Sequence, residues 1–356
     1  MTMAQLFIPE EYFSLQAYNY ELPEELIAKY PPEERDRARL LLVDRQRQSF
    51  EHRIFRELPE LLQAGDTLVL NDTKVIPARF FGHKANGTMA EVFLLEDLGD
   101  SWRVLVKPGR RIHTGTQIIL NEEWDLTAQV EAELDFPGGR LLSFNQPPET
   151  LARYIDQCGN MPLPPYIKRP AEPLDKEAYQ TVYAHIPGSV AAPTAGLHFT
   201  RDLLNKLQDR GINIAYLLLH VGIGTFRPVS SVDIRDHKMH SEHYSLSAET
   251  ARLLNRTRTA GKKIIAVGTT VVRTLETVYC EPDGFQASAG ETDKYIYPGY
   301  AYQAIDGMVT NFHLPESSLL MLVAAFAGYD LTMQAYQQAI AERYKFYSYG
   351  DAMLMI

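Results

Sequence analysis

The sequence predicts an α/β protein: a main domain of βα units, residues 1–61 and 151–356, interrupted by an inserted all-β domain at 62–150. Three observations predict it. From about 62 to 144 the chain is a series of short apolar segments divided by turn residues, with no long amphipathic helix. After 186 the texture changes: twice a helical segment stops at glycine, an apolar strand follows, and a glycine–threonine loop closes it. Between the two regions lies PLPPYIKRP (162–170), too rich in proline for a helix interior or a central strand.

The first twenty residues read as an extended lead-in, and the stretch 22–28 as a short helix stopped by Pro31 and Pro32. Arg35–Phe55 reads as a surface strand leading into a helix, or as a basic edge able to grip phosphate or carboxylate. Gly65–Asp66 turns the chain into the strand TLVLND, and NDTK (71–74) follows as a polar turn. IPARFFG is a strand start with Pro77 at its edge. The segments AEVFLLE, SWRVLVK, TQIIL, LTAQVEAEL and RLLSF then alternate with turns at NG, LGD, PGR and PGG, which suits a small β-barrel or sandwich. KPGRR (107–111) carries Lys107, Arg110 and Arg111 on one glycine turn, a solvated loop or a polyanion contact.

The main domain resumes with a short helix from Leu151, the proline connector, and a helical composition over 175–184. Thr200 caps a helix that ends at Gly211, and INIAYLLLHV is the next strand. Ser247 caps a second helix that ends at Gly261, followed by the strand KKIIAV and the loop GTTVVR. Met308–Phe312 is a further strand, with Pro315 in the first turn of a helix that stops at Gly328. Such βα units imply parallel strands in a barrel-like or open sheet, with ligand loops at their carboxyl ends.

Composition narrows the function. The 356 residues are 45% apolar and 22% charged, as expected of a folded soluble protein. No run of 18 apolar residues and no basic, then apolar, leader is present, so neither a membrane span nor a secretory signal is expected. Two distant cysteines, Cys158 and Cys280, argue against a disulfide framework or a cysteine-ligated zinc and suit a reducing cytoplasm. The net charge of −10 argues against a broad nucleic-acid surface, though a local basic face can coexist with an acidic body.

The candidate ligand loops are HVGIGTF, VGTTVVR and NFHLPESS, which hold His220, Gly222 and Thr225, then Gly268, Thr269, Thr270 and Arg273, then Asn311 and His313. A strand followed by GTT and a helix suits an anion nest, but neither a P-loop nor a G-x-G-x-x-G fingerprint is present. G-x-S-x-G is also absent. His237, His240 and His243 recur at spacings of three, yet H-E-x-x-H is missing and no metal is expected. Glu242, Glu276 and Glu291 are carboxylates from which the residue pattern does not choose a base.

Nine segments, in order, carry a resemblance that periodicity cannot supply. They are LVLNDTKVIPARFFG (68–82), VLVKPGRR (104–111), IPGSVAAPTAGLHFT (186–200), LLLHVGIGTFRPV (217–229), MHSEHY (239–244), GKKIIAVGTTVVRTLE (261–276), GETDKYIYPGY (290–300), NFHLPESSLLMLVAAFAG (311–328) and YKFYSYGDAMLM (344–355). With them the chain resembles the S-adenosylmethionine:tRNA ribosyltransferase-isomerases of queuosine biosynthesis. The resemblance implies an α/β fold with a barrel-like main domain and an inserted all-β barrel. It implies transfer and rearrangement of the ribosyl part of S-adenosylmethionine onto 7-aminomethyl-7-deazaguanine at the tRNA wobble position, giving epoxyqueuosine and releasing adenine and methionine. The donor is then a consumed co-substrate, with no resident cofactor, and the partners are S-adenosylmethionine and tRNA, with no membrane and a monomeric chain.

That reaction needs a base for a ribose C5′ hydrogen acidified by the sulfonium, an acid to help adenine leave, and a neutral amine held near the carbon it attacks. His198 or Glu242 is expected to move the proton. The GTT loop and Arg273 are expected to hold the methionyl carboxylate or a tRNA phosphate, and Asp72, Lys74 and Arg79 to serve either substrate near the domain junction. His220, Gly222, Thr225, Asn311 and His313 complete the expected substrate contacts. The aromatic residues of YKFYSYGD are expected to stack on a base or to pack the tail. Lys107, Arg110 and Arg111, with the Arg35–Arg56 region, are the local cations for tRNA. A methyltransferase using the same donor would release S-adenosylhomocysteine instead of adenine, and a tRNA-binding module would not turn the donor over.

Overall fold

The computed structural model describes residues 8–222 and 229–356. Its larger sheet has nine strands. From one edge to the other they are Ser288–Thr292, Glu242–Leu246, Asn213–Leu219, Thr67–Asn71, Ile264–Val267, Gly307–Asn311, Ala352–Met355, Arg39–Asp44 and Ser49–Ile54. The four from Asn213–Leu219 to Gly307–Asn311 are parallel, and the outer strands are mixed. Thr67–Asn71, Ile264–Val267 and Gly307–Asn311 are buried at every position. This is the pattern of strands covered on both faces, which read as continuous apolar runs.

Alternation along each strand divides the core into two layers. Leu41, Val69, Ala266, Met308 and Met353 pack on one side with helices Ala248–Thr259, Thr269–Val278, Ser318–Ala327 and Tyr329–Ala341. Leu40, Leu68, Ile265, Val309 and Leu354 pack on the other with helix Arg201–Asp209 and Leu58.

The second unit is a closed antiparallel barrel in the order Gly139–Phe144, Trp102–Lys107, Met89–Asp97, Arg79–His83, Gln117–Asn121, Leu126–Glu133. Closure removes the edges that short strands would otherwise expose. Its core of Val92, Leu94, Val104, Ile118, Ala128 and Leu142 is sealed by Leu151, Tyr154 and Ile155 of helix Pro148–Cys158. The expected α/β class with an inserted β-barrel is thus observed.

Several expectations are revised by pairing. Thr67–Asn71 lies in the middle of the large sheet, so the start of the expected insert, residues 62–75, does not pair within the barrel, whose first strand opens at Arg79. The chain leaves that strand through Thr73–Val75, which pairs with the returning Ile186–Ser189, and Arg79 and Asn160 exchange backbone hydrogen bonds of 3.2 and 2.9 Å. At this junction a Cβ on Gly159 would stand 1.9 Å from the Pro77 carbonyl oxygen, so only glycine lets the two crossings meet.

The strand-to-helix reading of Arg35–Phe55 gives way to a hairpin of Arg39–Asp44 and Ser49–Ile54. Asp44 Oδ1 accepts from the Gln46 and Arg47 N–H groups and makes the turn. Of 175–184, only Asp175–Ala178 is helical. Pro315 stands ahead of its helix, because the Ser317 hydroxyl takes the capping role by accepting from Leu320 N–H. The Thr200 and Ser247 caps form as read, accepting from Leu203 and Thr250 N–H at 3.1 Å each, and Gly211 and Gly261 end those helices at φ 79° and 64°.

Candidate active site

The parallel strands set their carboxyl ends side by side, and the loops leaving them enclose a cleft open to solvent. One wall is Gly268, Thr269 and Thr270, a second is Thr310, Asn311 and His313, and the segment from Ala191 to Ala195 closes a third side. Tyr166, Tyr179, Tyr347 and Ser348 also line it.

Gly268 makes the first wall possible. It sits at φ 89°, ψ 153°, a conformation essentially reserved for glycine, and its N–H donates to Val309 O at 2.8 Å. Helix Thr269–Val278 starts directly after it without a capping side chain, so its first N–H groups and the positive end of its dipole meet the cleft. Asn71 braces the same helix. Its Nδ2 donates to Leu219 O at 2.9 Å and Thr270 Oγ1 at 3.3 Å, while its Oδ1 accepts from Leu219 N–H at 3.1 Å and Thr73 N–H at 3.2 Å.

Asn311 is the polar centre of the second wall. Its Nδ2 donates to Tyr347 O at 2.9 Å and to His198 Nε2 at 3.3 Å. Flipping the amide would set its oxygen against the Tyr347 carbonyl oxygen, so the orientation is fixed. Its Oδ1 is buried without a hydrogen-bond partner among the described residues, in a side chain that lines the cleft. Tyr347, which supplies the carbonyl, is held at φ 71°, a strained value for an aromatic residue.

His198 stands behind Asn311, buried, with its ring tilted against Phe55 at 4.9 Å between centroids. Burial pulls its pKa down to about 4, and Arg35 adds to the shift. His313 contacts Thr310 Oγ1 through Nε2 at 2.8 Å, and burial brings it to about 3. Both rings are therefore neutral at pH 7. Both folded pKa values lie below the unfolded value of about 6.5, so the unfolded chain takes up protons first as pH falls. Their contribution is complete above pH 6.5 and is lost from there down to about 4 and 3, on the order of 3 kcal/mol for His198. Urea midpoints measured across this window should fall with pH, and His198→Gln should flatten the slope.

The other expected residues divide into separate groups. Glu242 and Arg273 pair with each other, both side chains about 5% exposed. Glu242 Oε1 accepts from Gly222 N–H at 2.9 Å, and Arg273 donates from Nε to Lys294 O at 2.8 Å. His220 contacts Thr73 Oγ1 through Nδ1 at 2.8 Å, and burial and then His243 lower its pKa. Asp72 is half-buried at the end of the same strand as Asn71, and burial raises its carboxyl. Lys74 is exposed, and Arg79 contacts Glu91 at 3.4 Å at the junction. Lys107, Arg110 and Arg111 lie exposed on the barrel, away from the cleft lining. Thr225 lies outside the described residues.

Glu276 is occupied by Tyr300 OH and the Gln303 and Ala304 N–H groups, and Glu291 accepts from Ser241 Oγ. His237 packs against Tyr295. Among the described residues no three histidine, cysteine or acidic side chains are grouped to hold a metal. The sequence reading missed Asn71, Tyr166, Tyr179, Thr194 and Ser348. For Tyr166 a signal existed: a tyrosine within a proline run is carried by a stiff backbone, and here that run delivers it to the cleft.

Comparison with known proteins finds relatives along nearly the whole chain. A family model described as "Queuosine biosynthesis protein" matches residues 15–355. The chain is similar to a protein of Syntrophomonas wolfei named S-adenosylmethionine:tRNA ribosyltransferase-isomerase, 54% identical over 349 residues and 98% of each chain. It is similar to one of the same name from Thermosynechococcus vestitus, 52% identical over 97% of this chain and 96% of that one. Among solved structures, a crystal structure of S-adenosylmethionine tRNA ribosyltransferase from Thermotoga maritima matches with a TM-score of 0.56 and 41% identity, covering 96% of this chain and 100% of that one.

Proposed function

This chain belongs to the queuosine biosynthesis protein family, and from that premise we propose how its cleft works as an S-adenosylmethionine:tRNA ribosyltransferase-isomerase. The substrates are S-adenosylmethionine and a tRNA carrying 7-aminomethyl-7-deazaguanine at the wobble position. The amine takes up the ribosyl unit, which rearranges to the epoxycyclopentanediol of epoxyqueuosine, while adenine and methionine leave. The observation that carries this reading is the cleft itself: a helix N-terminus and Asn311 Oδ1, both without a side-chain partner among the described residues, face one space at the ends of parallel strands.

The methionyl carboxylate is matched by the N–H groups opening helix Thr269–Val278, where backbone dipoles favour an anion. Asn311 Oδ1 can accept from a ribose hydroxyl or the adenine amine, and Tyr166 and Tyr347 offer aromatic faces to the purine. His198 and His313, both neutral, keep the cleft free of added positive charge next to the sulfonium. In this reading Glu242 and Arg273 hold the loop at Gly222, His198 positions Asn311, and proton transfer falls to His313, the imidazole that lines the cleft.

The test is turnover of adenine-labelled S-adenosylmethionine with the modified tRNA. Free adenine that appears only when the tRNA carries the aminomethyl base is the expected result. Label recovered only in S-adenosylhomocysteine would overturn the reading.

A further inference from the structure

The barrel's outer surface carries an arrangement that the cleft does not use. In Arg79–His83 burial alternates, so Phe80 faces the interior while Arg79, Phe81 and His83 face outward. Phe80 is 3% exposed and Phe81 is 55% exposed. Register sets Phe81 opposite Glu91 and Glu91 opposite Lys107, which makes one row across three strands. The next row sets His83 opposite Met89, itself 64% exposed.

Cations frame this apolar surface. Lys107 leads into the turn that bears Arg110 and Arg111, both exposed, and Lys84 Nζ donates to Arg111 O at 3.0 Å, which ties a fourth cation to that turn. The nearby carboxylates are engaged. Glu91 lies 3.4 Å from Arg79 and 3.9 Å from Lys107, and Glu133 lies 3.2 Å from Arg140 and 3.0 Å from His113. A cationic face on a chain of net charge −10 is a local exception to its overall field.

We propose that Phe81 is a stacking platform on an RNA-docking face. Its ring receives an unpaired base of the substrate RNA's loop, and Lys84, Lys107, Arg110 and Arg111 hold the adjoining phosphates. An exposed aromatic among cations is the chemistry of single-strand recognition, because every base has a π-face and every linkage a charge. Charge complementarity selects the polyanion over a protein partner, whose buried interface would be depleted of lysine. The location also fits. Val190 packs in the barrel's core cluster, and the next two residues, Ala191 and Ala192, line the cleft, so the chain runs directly from the barrel to the donor site. The proposal rests on the tRNA-acting reading above.

The test uses the full chain, with Phe81→Ala, Phe81→Trp and the double variant Arg110→Glu/Arg111→Glu. Binding of the unmodified tRNA and of its isolated anticodon stem-loop is measured by fluorescence anisotropy at several salt concentrations, and adenine release is followed in parallel. Phe81→Ala should weaken RNA binding about tenfold, Phe81→Trp should restore it, and the KM for S-adenosylmethionine should not move. The charge variant should also bind more weakly, with a shallower dependence on salt, whereas Phe81→Ala should keep the wild-type slope. Wild-type RNA affinity in Phe81→Ala would overturn the proposal, as would equal loss in Phe81→Ala and Phe81→Trp. Absence of adenine release by the wild-type protein, with these binding differences intact, would count against the catalytic reading alone.

Discussion

Glu242→Ala should destabilise the protein by about 3–5 kcal/mol, the loss typical when one partner of a buried ion pair is removed. The cause is the charge left behind. Arg273 is 4% exposed and would keep, among the described residues, the carbonyl acceptors at Lys294 and Thr292. The same substitution removes the carboxylate that holds Gly222 N–H, so the loop leaving strand Asn213–Leu219 loses its anchor. Denaturant unfolding should show the shift, with adenine release falling alongside it. Replacing both partners, Glu242→Leu with Arg273→Met, should recover much of the stability, because no charge then remains buried. Full stability in Glu242→Ala with activity abolished would instead make Glu242 an acid–base residue.

Asn311→Ala should lower kcat/KM for adenine release by roughly 5- to 150-fold, the range set by leaving a buried hydrogen-bonding group unmatched. The amide's own partners explain why. Nδ2 is committed to Tyr347 O and His198 Nε2, which leaves Oδ1 as the atom available to a ligand. His198 then acts through Asn311. His198→Gln, whose side-chain oxygen can still accept from Nδ2, should keep more activity than His198→Leu. Equal and complete loss in both would place the imidazole in the proton transfer itself.

What could be read from the sequence was local. Thr200 and Ser247 announce helices because a side-chain oxygen must serve the first free N–H groups, and Gly211 and Gly261 end them because the next turn needs positive φ. The barrel was legible in strands separated by turn residues. The GTT loop was legible because a glycine between strand and helix marks a close turn. Long-range pairing was not legible. Ala352–Met355 inserts between Gly307–Asn311 and Arg39–Asp44, yet four apolar residues at a chain end carry no register. Glu242 and Arg273 stand 31 residues apart, and nothing local to either names the other. The fixed amide of Asn311 depends on Tyr347 O and His198 Nε2, two groups from distant loops. The expectation for Thr67–Asn71 failed for the same reason. As a strand it was legible, but its neighbours, Asn213–Leu219 and Ile264–Val267, arrive more than a hundred residues later.

The most direct measurement is the mass of the wobble nucleoside after reaction. Modified tRNA is incubated with the enzyme and S-adenosylmethionine, digested to nucleosides and analysed by mass spectrometry, with donor labelled separately in its ribose and its methyl group. The account predicts a nucleoside that has gained the ribose-derived carbons and no methyl label. A nucleoside carrying the methyl label and none of the ribose carbons would contradict it.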